Sequence, residues 1–350
     1  MAEATVSSHI LNTEQSVQDI LNTIERERER EIIARRFGLF DRKETLEQIG
    51  ELLGITRERV RQLEKTVVAR LKALADANEL PGIASVQNVL VVTTESLGSI
   101  ARVGVLSEQV TAENTRTDQS RVAFLATLCP QLIVIDETDR YHQAVGVSKQ
   151  RDEKTTKEAI AAIVAAIKAK GAPIAAADLT SDVHVSDKQV AALASISKDL
   201  ATLNDKWGLI KWPMVNPKNI RDKIYVILKN NGTHMHFNEI AEAIKQSDFK
   251  RRDVTTQAIH NELIKDKRFV LIGRGIYALR EWGYKKGTVA DIIAEVLREA
   301  GEPLHRDEIV KRVLESRFVK ETTILLNLQG KNQFKRVAKA TYSLEEALES

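Results

Sequence analysis

Residues Thr45 to Glu64 read TLEQIGELLGITRERVRQLE, a layout that leaves few folding options. Thr45 is placed to cap a first helix, with Gln48 three residues on as its capping-box partner. Leu46, Ile49, Leu52 and Leu53 recur at helical spacing and predict one apolar face. Gly54 supplies a tight turn, and Thr56 is a favourable N-cap for a second helix. In that helix Val60, Leu63, Val67, Leu71 and Leu74 step by three or four and predict a buried stripe. Arg57, Glu58, Arg61 and Gln62 fall nearly opposite, at an exposed N-terminal end. The pattern is a helix-turn-helix, whose second helix enters the DNA major groove by its N-terminal part. Arg, Glu and Gln are side chains that read base edges there.

The stretch from about Arg26 to Leu74, with RRFGLF (Arg35 to Phe40) ahead of TLEQIG and LGITRERVRQLEK, resembles region 4 of the primary bacterial sigma factor family. The resemblance covers roughly 50 of 350 residues. It implies a module that recognises an upstream promoter element in double-stranded DNA and docks on bacterial RNA polymerase. It implies base contacts from Arg57, Glu58 and Gln62. It also implies contacts with the DNA backbone or a partner from Arg28, Arg36, Leu46, Glu47, Thr56, Arg59 and Arg61. Only about 24 residues precede this part, too few for a promoter-melting domain. The expectation is therefore a factor that modifies initiation, not a complete sigma factor that starts transcription alone.

Length and composition point to several helical domains. Aromatic residues make up only 5%, and the 350 residues include just 16 Gly and 6 Pro. That mix favours helices over sandwiches or barrels. Hydrophobic residues at 43% and charged residues at 29% describe a globular chain. No apolar run reaches membrane-spanning length, and the N-terminus lacks the basic and apolar regions of a signal peptide. The single cysteine, Cys129, excludes an internal disulfide framework and suits a reducing cytoplasm. It follows an apolar helix and precedes Pro130, which predicts buried filler.

The formal net charge is only +3 and is spread unevenly. Residues 25–75 hold 13 Lys and Arg against 10 Asp and Glu, whereas residues 217–350 hold 25 against 19. A strongly basic, non-specific DNA binder is not expected; phosphate contacts would come from local patches. The run ERERERE (Glu25 to Glu31) reads mainly as a solvated helix face.

Behind the first module the chain divides at four linkers: Asp76 to Ser85, Gly146 to Thr155, Trp212 to Lys218 and Trp282 to Gly287. The expected partition is a loose lead-in at 1–24 with a short helix from Val17, the helix-turn-helix at 25–78, and further modules at 84–147, 154–212, 217–281 and 285–345. The last two are repeats. Phe269 and Phe334 are 65 residues apart, as are Tyr277 and Tyr342. Gly232 matches Gly301, and His236 matches His305. Each unit reads as three helices followed by a two-stranded hairpin, which is a winged helix. The middle two fit the same plan more loosely. In the first of them a helix over 89–101, a third helix over 118–129 and a wing over 132–145 are expected. In the second a helix from Ser186 to Asn204 is expected, with WGLIKWP as a degenerate wing.

The 217–281 unit, through HFNEIAEAI, VTTQAIHNEL and RFVLIGRGIYAL, resembles the HARE-HTH winged-helix module found in the delta subunit of bacterial RNA polymerase. That resemblance implies the fold, and either DNA or protein as partner. Unlike the delta subunit, the chain closes on a short acidic stub, SLEEALES. Arg274, between Gly273 and Gly275, falls at the tip of the wing and is a candidate phosphate contact. Lys250, Arg251 and Arg252, ahead of the third helix, form a second candidate cluster or a solvated loop.

No nucleophile elbow, HExxH or dinucleotide fingerprint occurs. No enzyme, cofactor, metal site or small-molecule substrate is expected. His234 and His236 lack further ligands for a metal, and His236 is better placed to cap or pack the second helix of its unit. The whole predicts a mainly α, multi-domain DNA-binding protein of transcription initiation. The alternative is an RNA polymerase accessory or scaffold whose winged helices bind protein.

Overall fold

The computed structural model describes residues 10–249, 251 and 253–345. Among these residues the chain forms sixteen α-helices and four small three-stranded antiparallel sheets. None of the helices is long and apolar enough to cross a membrane. The chain divides after Lys211 into two compact units.

The first unit begins with α1 (Thr13–Asn22), α2 (Glu27–Phe37), α3 (Leu46–Leu53) and α4 (Arg57–Asp76). A hairpin module follows: α5 (Ile83–Ser96), β1 (Ile100–Arg102), α6 (Val103–Val110), α7 (Arg116–Leu128), β2 (Leu132–Ile135) and β3 (Ala144–Val147). Strand order is β1-β3-β2, so the first strand joins the outside of a hairpin. The helix expected over 89–101 instead starts at Ile83 and stops at Ser96. Gly98 (φ 105°) and Ser99 (φ 66°) take backbone angles no helix allows, and Ile100 to Arg102 pair as strand.

The segment expected as a loose lead-in is interior. Val17, Ile20, Leu21 and Ile24 are buried in one core with Val67, Leu71 and Ala75 of α4 and Phe124, Leu125 and Leu128 of α7. The expected linker adds Leu80 and Ile83 to the same core. Polar groups close the edge: the Thr13 hydroxyl donates to Asp118 (3.1 Å), Arg121 pairs with Glu14 (2.8 Å), and Arg121 Nε donates to the Leu39 carbonyl (2.8 Å). The spacing 17, 20, 21, 24 carries a helix face, but its partner lies about a hundred residues downstream. Nothing local in the sequence announces it.

A second hairpin module completes this unit: α8 (Glu153–Lys170), β4 (Ile174–Ala175), a 3₁₀ turn, α9 (Thr180–Val183), α10 (Asp187–Ile196), β5 (Leu200–Leu203) and β6 (Lys206–Leu209). The helix expected to reach Asn204 ends at Ile196. Asn204 (φ 49°) and Asp205 (φ 57°) are both left-handed and close a two-residue hairpin of the type I′ kind, to which Asn and Asp are suited. The hairpin at this place therefore spans 200–209, earlier than the WGLIKWP segment in which a wing was expected. Helix α10 lies against β1, where a Cβ on Gly98 would come within 2.9 Å of the Ala192 methyl. Backbone bonds from His142 to Ile196 (2.9 Å) and from Lys198 to Arg140 (2.8 Å) fasten the two modules.

The second unit holds the expected repeat. Its first half is α11 (Ile220–Asn231), β7 (Met235–His236), α12 (Phe237–Gln246), α13 (Thr256–Lys265), β8 (Phe269–Gly273) and β9 (Ile276–Leu279). Its second half is α14 (Val289–Ala300), β10 (Leu304–His305), α15 (Arg306–Ser316), α16 (Glu321–Gly330), β11 (Phe334–Ala338) and β12 (Thr341–Leu344). Met235 pairs with Tyr277, and Leu304 with Tyr342. The matched histidines cap α12 and α15: His236 Nδ1 accepts from the Asn238 amide (3.3 Å) and His305 Nδ1 from that of Asp307 (3.4 Å).

The two halves are clamped through the first hairpin, β8 and β9. Trp282 and Tyr284, from the expected linker, pack on Val270, Ile272 and Ala278. The Phe318 amide donates to the Ile272 carbonyl (3.1 Å), and the Arg317 guanidinium binds the carbonyls of Leu271 and Gly287. The free edge of β8 is thereby occupied.

Ile20 has no exposed surface. Ile20→Ala should lower stability by about 2–5 kcal/mol, the cost of an emptied core site. Because the core is shared, thermal unfolding followed by hydrogen exchange should show amides of α4 and α7 losing protection together. Loss confined to α1 would contradict a common core.

Candidate nucleic-acid interface

The local geometry of α3 and α4 follows from their caps. Thr45 Oγ1 accepts from the Gln48 amide (3.2 Å) while Gln48 Oε1 accepts from the Thr45 amide (2.9 Å), a complete capping box. Gly54 is left-handed (φ 63°), as the turn requires. Thr56 Oγ1 accepts from the Arg59 amide (3.2 Å) and starts α4. A second glycine matters as much. The Ile55 amide donates to the Gly50 carbonyl (2.9 Å), and a Cβ on Gly50 would lie 2.7 Å from the Ile55 oxygen. The turn folds back on α3 so closely that only glycine fits, a contact without a sequence signal of its own.

Ile32, Ile49 and Val60 form the buried centre of this motif, flanked by Leu46, Leu53, Ile55 and Leu63. Leu52 departs from the expected face and is 54% exposed. At about 100° per residue it lies some 120° round the helix from Leu46, beyond the rim of the stripe. Along α4, Val60, Val67 and Leu71 are fully buried, whereas Leu63 and Leu74 are half-buried.

Arg57, Glu58, Arg59, Arg61 and Gln62 all stand exposed on the first two turns of α4. They are mutually connected. Arg61 donates to both Glu58 oxygens (2.8 and 2.7 Å), Gln62 Nε2 donates to Glu58 (3.2 Å), and Arg59 donates to Gln62 Oε1 (3.4 Å). Arg57 lies 3.9 Å from Glu47 on the first turn of α3. The Arg61 hydrogen bonds, then that of Gln62 and the charges of Arg61 and Arg57, bring the Glu58 carboxyl from 4.5 down to about 2. The same pair raises the Arg61 guanidinium above its ordinary value. Three guanidiniums against one carboxylate leave the tip cationic, with acceptors and donors held in a fixed array.

The other candidates divide. Glu47 sits beside the cluster and Thr56 is its cap, while Leu46 is half-buried beneath. The Arg28 guanidinium binds the Leu53 carbonyl at the end of α3 and so braces the turn. Arg36 joins α2 to α4 through Glu64 (3.3 Å) and reaches the Glu44 carbonyl (3.5 Å). It is half-buried at the edge of the module, because the rows of α2 and α4 that bring Ile33 and Val67 into the core also bring Arg36 and Glu64 together. A brace not foreseen is Arg70 to Glu29 (2.9 Å), with the Glu29 carboxylate nearly buried. In the second unit Arg274 is exposed at the wing tip. Arg251 is exposed and left-handed (φ 56°), and its carbonyl accepts from Lys223 Nζ (2.6 Å). Lys250 and Arg252 lie outside the described residues. Cys129 is buried, and burial pushes its thiol up to about 12.

Residues 26–73 match the family model of Sigma-70, region 4, a helix-turn-helix module that binds DNA and contacts RNA polymerase. Similar proteins include the RNA polymerase sigma factor sigB of Arabidopsis thaliana, 41% identical over 81 residues, or 22% of this chain and 14% of that protein. The RNA polymerase sigma factor SigA of a Bacillus species is 42% identical over 59 residues, 17% of this chain and 15% of that protein. The likeness thus spans a small part of either relative's length and, in this chain, centres on α2 to α4.

The folded Glu58 value lies below 4.5, so the unfolded chain binds more protons between about pH 2 and 4.5. The contribution of the pair is complete above that window and disappears as pH falls through it. Side-chain carbon NMR should find Glu58 titrating near 2, and Arg61→Ala should return it toward 4.5. A wild-type midpoint above 4 would show that the pair does not hold in solution.

Proposed function

We propose that this chain is a DNA-binding protein of transcription initiation, with RNA polymerase as its protein partner. Helix α4 enters the major groove of promoter-like duplex by its N-terminus. Arg57, Glu58 and Gln62 read base edges, and Arg59, Arg61 and the first turn of α3 at Leu46 and Glu47 run along the backbone. The observation that carries this reading is the exposed, prearranged Arg57–Gln62 cluster within the segment that matches Sigma-70, region 4. An Arg that binds guanine with two hydrogen bonds needs a guanidinium free on one edge. Arg57, held only loosely by Glu47 at 3.9 Å, meets that need better than Arg61.

The four hairpin modules are, in this reading, winged helices, and those of the second unit are of the HARE-HTH kind. The middle two serve as protein scaffold, a role favoured by one specific observation. Helix α7, the counterpart of a recognition helix, is buried almost all round, with Arg121 through Ala126 and Leu128 inside. Helix α10 is likewise buried along Val190, Leu193, Ala194 and Ile196. What stays fully exposed is confined to the N-terminal ends, Arg116 on α7 and Asp187 and Lys188 on α10, a narrow surface for a groove. Arg274 remains a candidate phosphate contact in the second unit.

Binding of the full chain to promoter-like and scrambled duplexes, with and without core RNA polymerase, tests the proposal. Arg57→Ala should cost roughly 1–3 kcal/mol of preference between the two duplexes. Equal discrimination by Arg57→Ala and wild type would remove the base-reading assignment. Polymerase capture without any duplex binding would leave only the scaffold.

A further inference from the structure

The two repeats of the second unit have the same wing but treat it oppositely. In the first wing Val270 and Ile272 are buried, under Trp282 and Tyr284, and the edge of β8 is taken by Arg317 and Phe318. The equivalent positions 65 residues later are Lys335 and Val337, with Arg336 between them, and all three are exposed. Lys339 occupies the tip, where the first wing has Arg274. Arg336 Nε donates to the Ala338 carbonyl (3.1 Å), which lays its side chain along the wing. Among the described residues none of Lys335, Arg336 and Lys339 forms an ion pair, although Lys285, Arg306 and Arg312 of the same module do. Glu345, just beyond β12, is bound by its amide to the Gln333 carbonyl (3.1 Å) and forms no ion pair with them.

A cationic hairpin that has, among the described residues, no ion-paired counter-charge and one bare edge is suited to a polyanion. The neighbouring helix α16 reads ETTILLNLQG and has no Lys or Arg, so the module offers little to base edges. We infer that the C-terminal wing, through Lys335, Arg336 and Lys339, binds the sugar-phosphate backbone of double-stranded DNA without regard to sequence. The inference rests on the proposed DNA-binding role and moves the principal phosphate contact from Arg274 to the last module. A duplex is favoured over an acidic protein because the three exposed cations follow one strand and its tip, an extended row suited to a continuous phosphate backbone. Lys335 and Arg336 leave opposite faces of β11, so the exposed edge and tip of the hairpin together, and not a single face, carry the three cations toward phosphates.

The test measures duplex affinity of the full chain against salt concentration. Lys335→Ala, Arg336→Ala and Lys339→Ala together should make the log–log salt slope shallower by about 2.7, at roughly 0.9 for each phosphate no longer neutralised. Affinity for promoter-like and scrambled duplexes should fall by the same factor, about tenfold or more at low salt, leaving their ratio unchanged. A charge-keeping variant, Lys335→Arg with Arg336→Lys and Lys339→Arg, should restore the wild-type slope and so separates charge from folding. An unchanged slope in the alanine variant, with wild-type sequence preference intact, would overturn the wing assignment while leaving the role of α4 standing. Retained duplex binding with loss of binding to polyglutamate would also overturn it, in favour of a protein ligand. Absence of duplex binding by the wild type would remove both readings together.

Discussion

Helix α4 belongs to two environments at once, and the first unit is organised by that division. Its C-terminal half gives Val67, Leu71 and Ala75 to a core built with α1 and α7. Its N-terminal half is held only by the small cluster around Ile32, Ile49 and Val60 and leaves Arg57 to Gln62 outside. A helix-turn-helix of three short helices has little apolar area with which to offset chain entropy. Anchoring one end of α4 in a larger core supplies rigidity to the end that carries the polar array. The fixed pairing of Glu58 with Arg61 and Gln62 depends on that rigidity, since exposed ion pairs alone contribute little.

The same economy runs through the hairpin modules. Each brings three helices and a three-stranded sheet, but the surfaces left free differ. Packing buries most of α7 and much of α10 and leaves α13 and α16 with isolated apolar residues in view, Ile264 and Leu326. In the second unit the first hairpin is covered by Trp282, Tyr284 and Arg317 while the second stays open. One structural plan thus yields modules that brace and modules that present a face. The difference is set by a few positions on the strands, Val270 and Ile272 against Lys335 and Val337.

What the sequence made legible was local. Caps at Thr45, Gln48 and Thr56, the left-handed Gly54, and the stripe from Val60 to Leu71 depend on residues within a turn or two of each other, and the structure has them as expected. The matched repeat at Phe269 and Phe334 was legible because two copies constrain one another. Three kinds of feature were not. Contacts at long separation, such as α1 with α7, leave no local trace. Close backbone approach at Gly50 depends on the path of the turn and not on composition. The hairpin at Asn204-Asp205 was hidden by an Ala-rich run that favours helix up to its last residue. Within the site, exposure of Arg57, Glu58 and Gln62 followed from periodicity. The bonds of Arg28 to the Leu53 carbonyl and of Arg36 to Glu64 did not, because a guanidinium reaches far enough to serve either side of a small module.

The packing of α1 on α7 also sets an order of events on the ribosome. Thr13 and Glu14 wait for Asp118 and Arg121, about a hundred residues later in synthesis. Until α7 emerges, the apolar faces of α1 and of the C-terminal half of α4 have no cover. The helix that bears Arg57 is translated early, yet it reaches its final mounting only when most of the following module has left the exit tunnel. In this chain the exposed polar end of α4 is finished by the module that supports its other end.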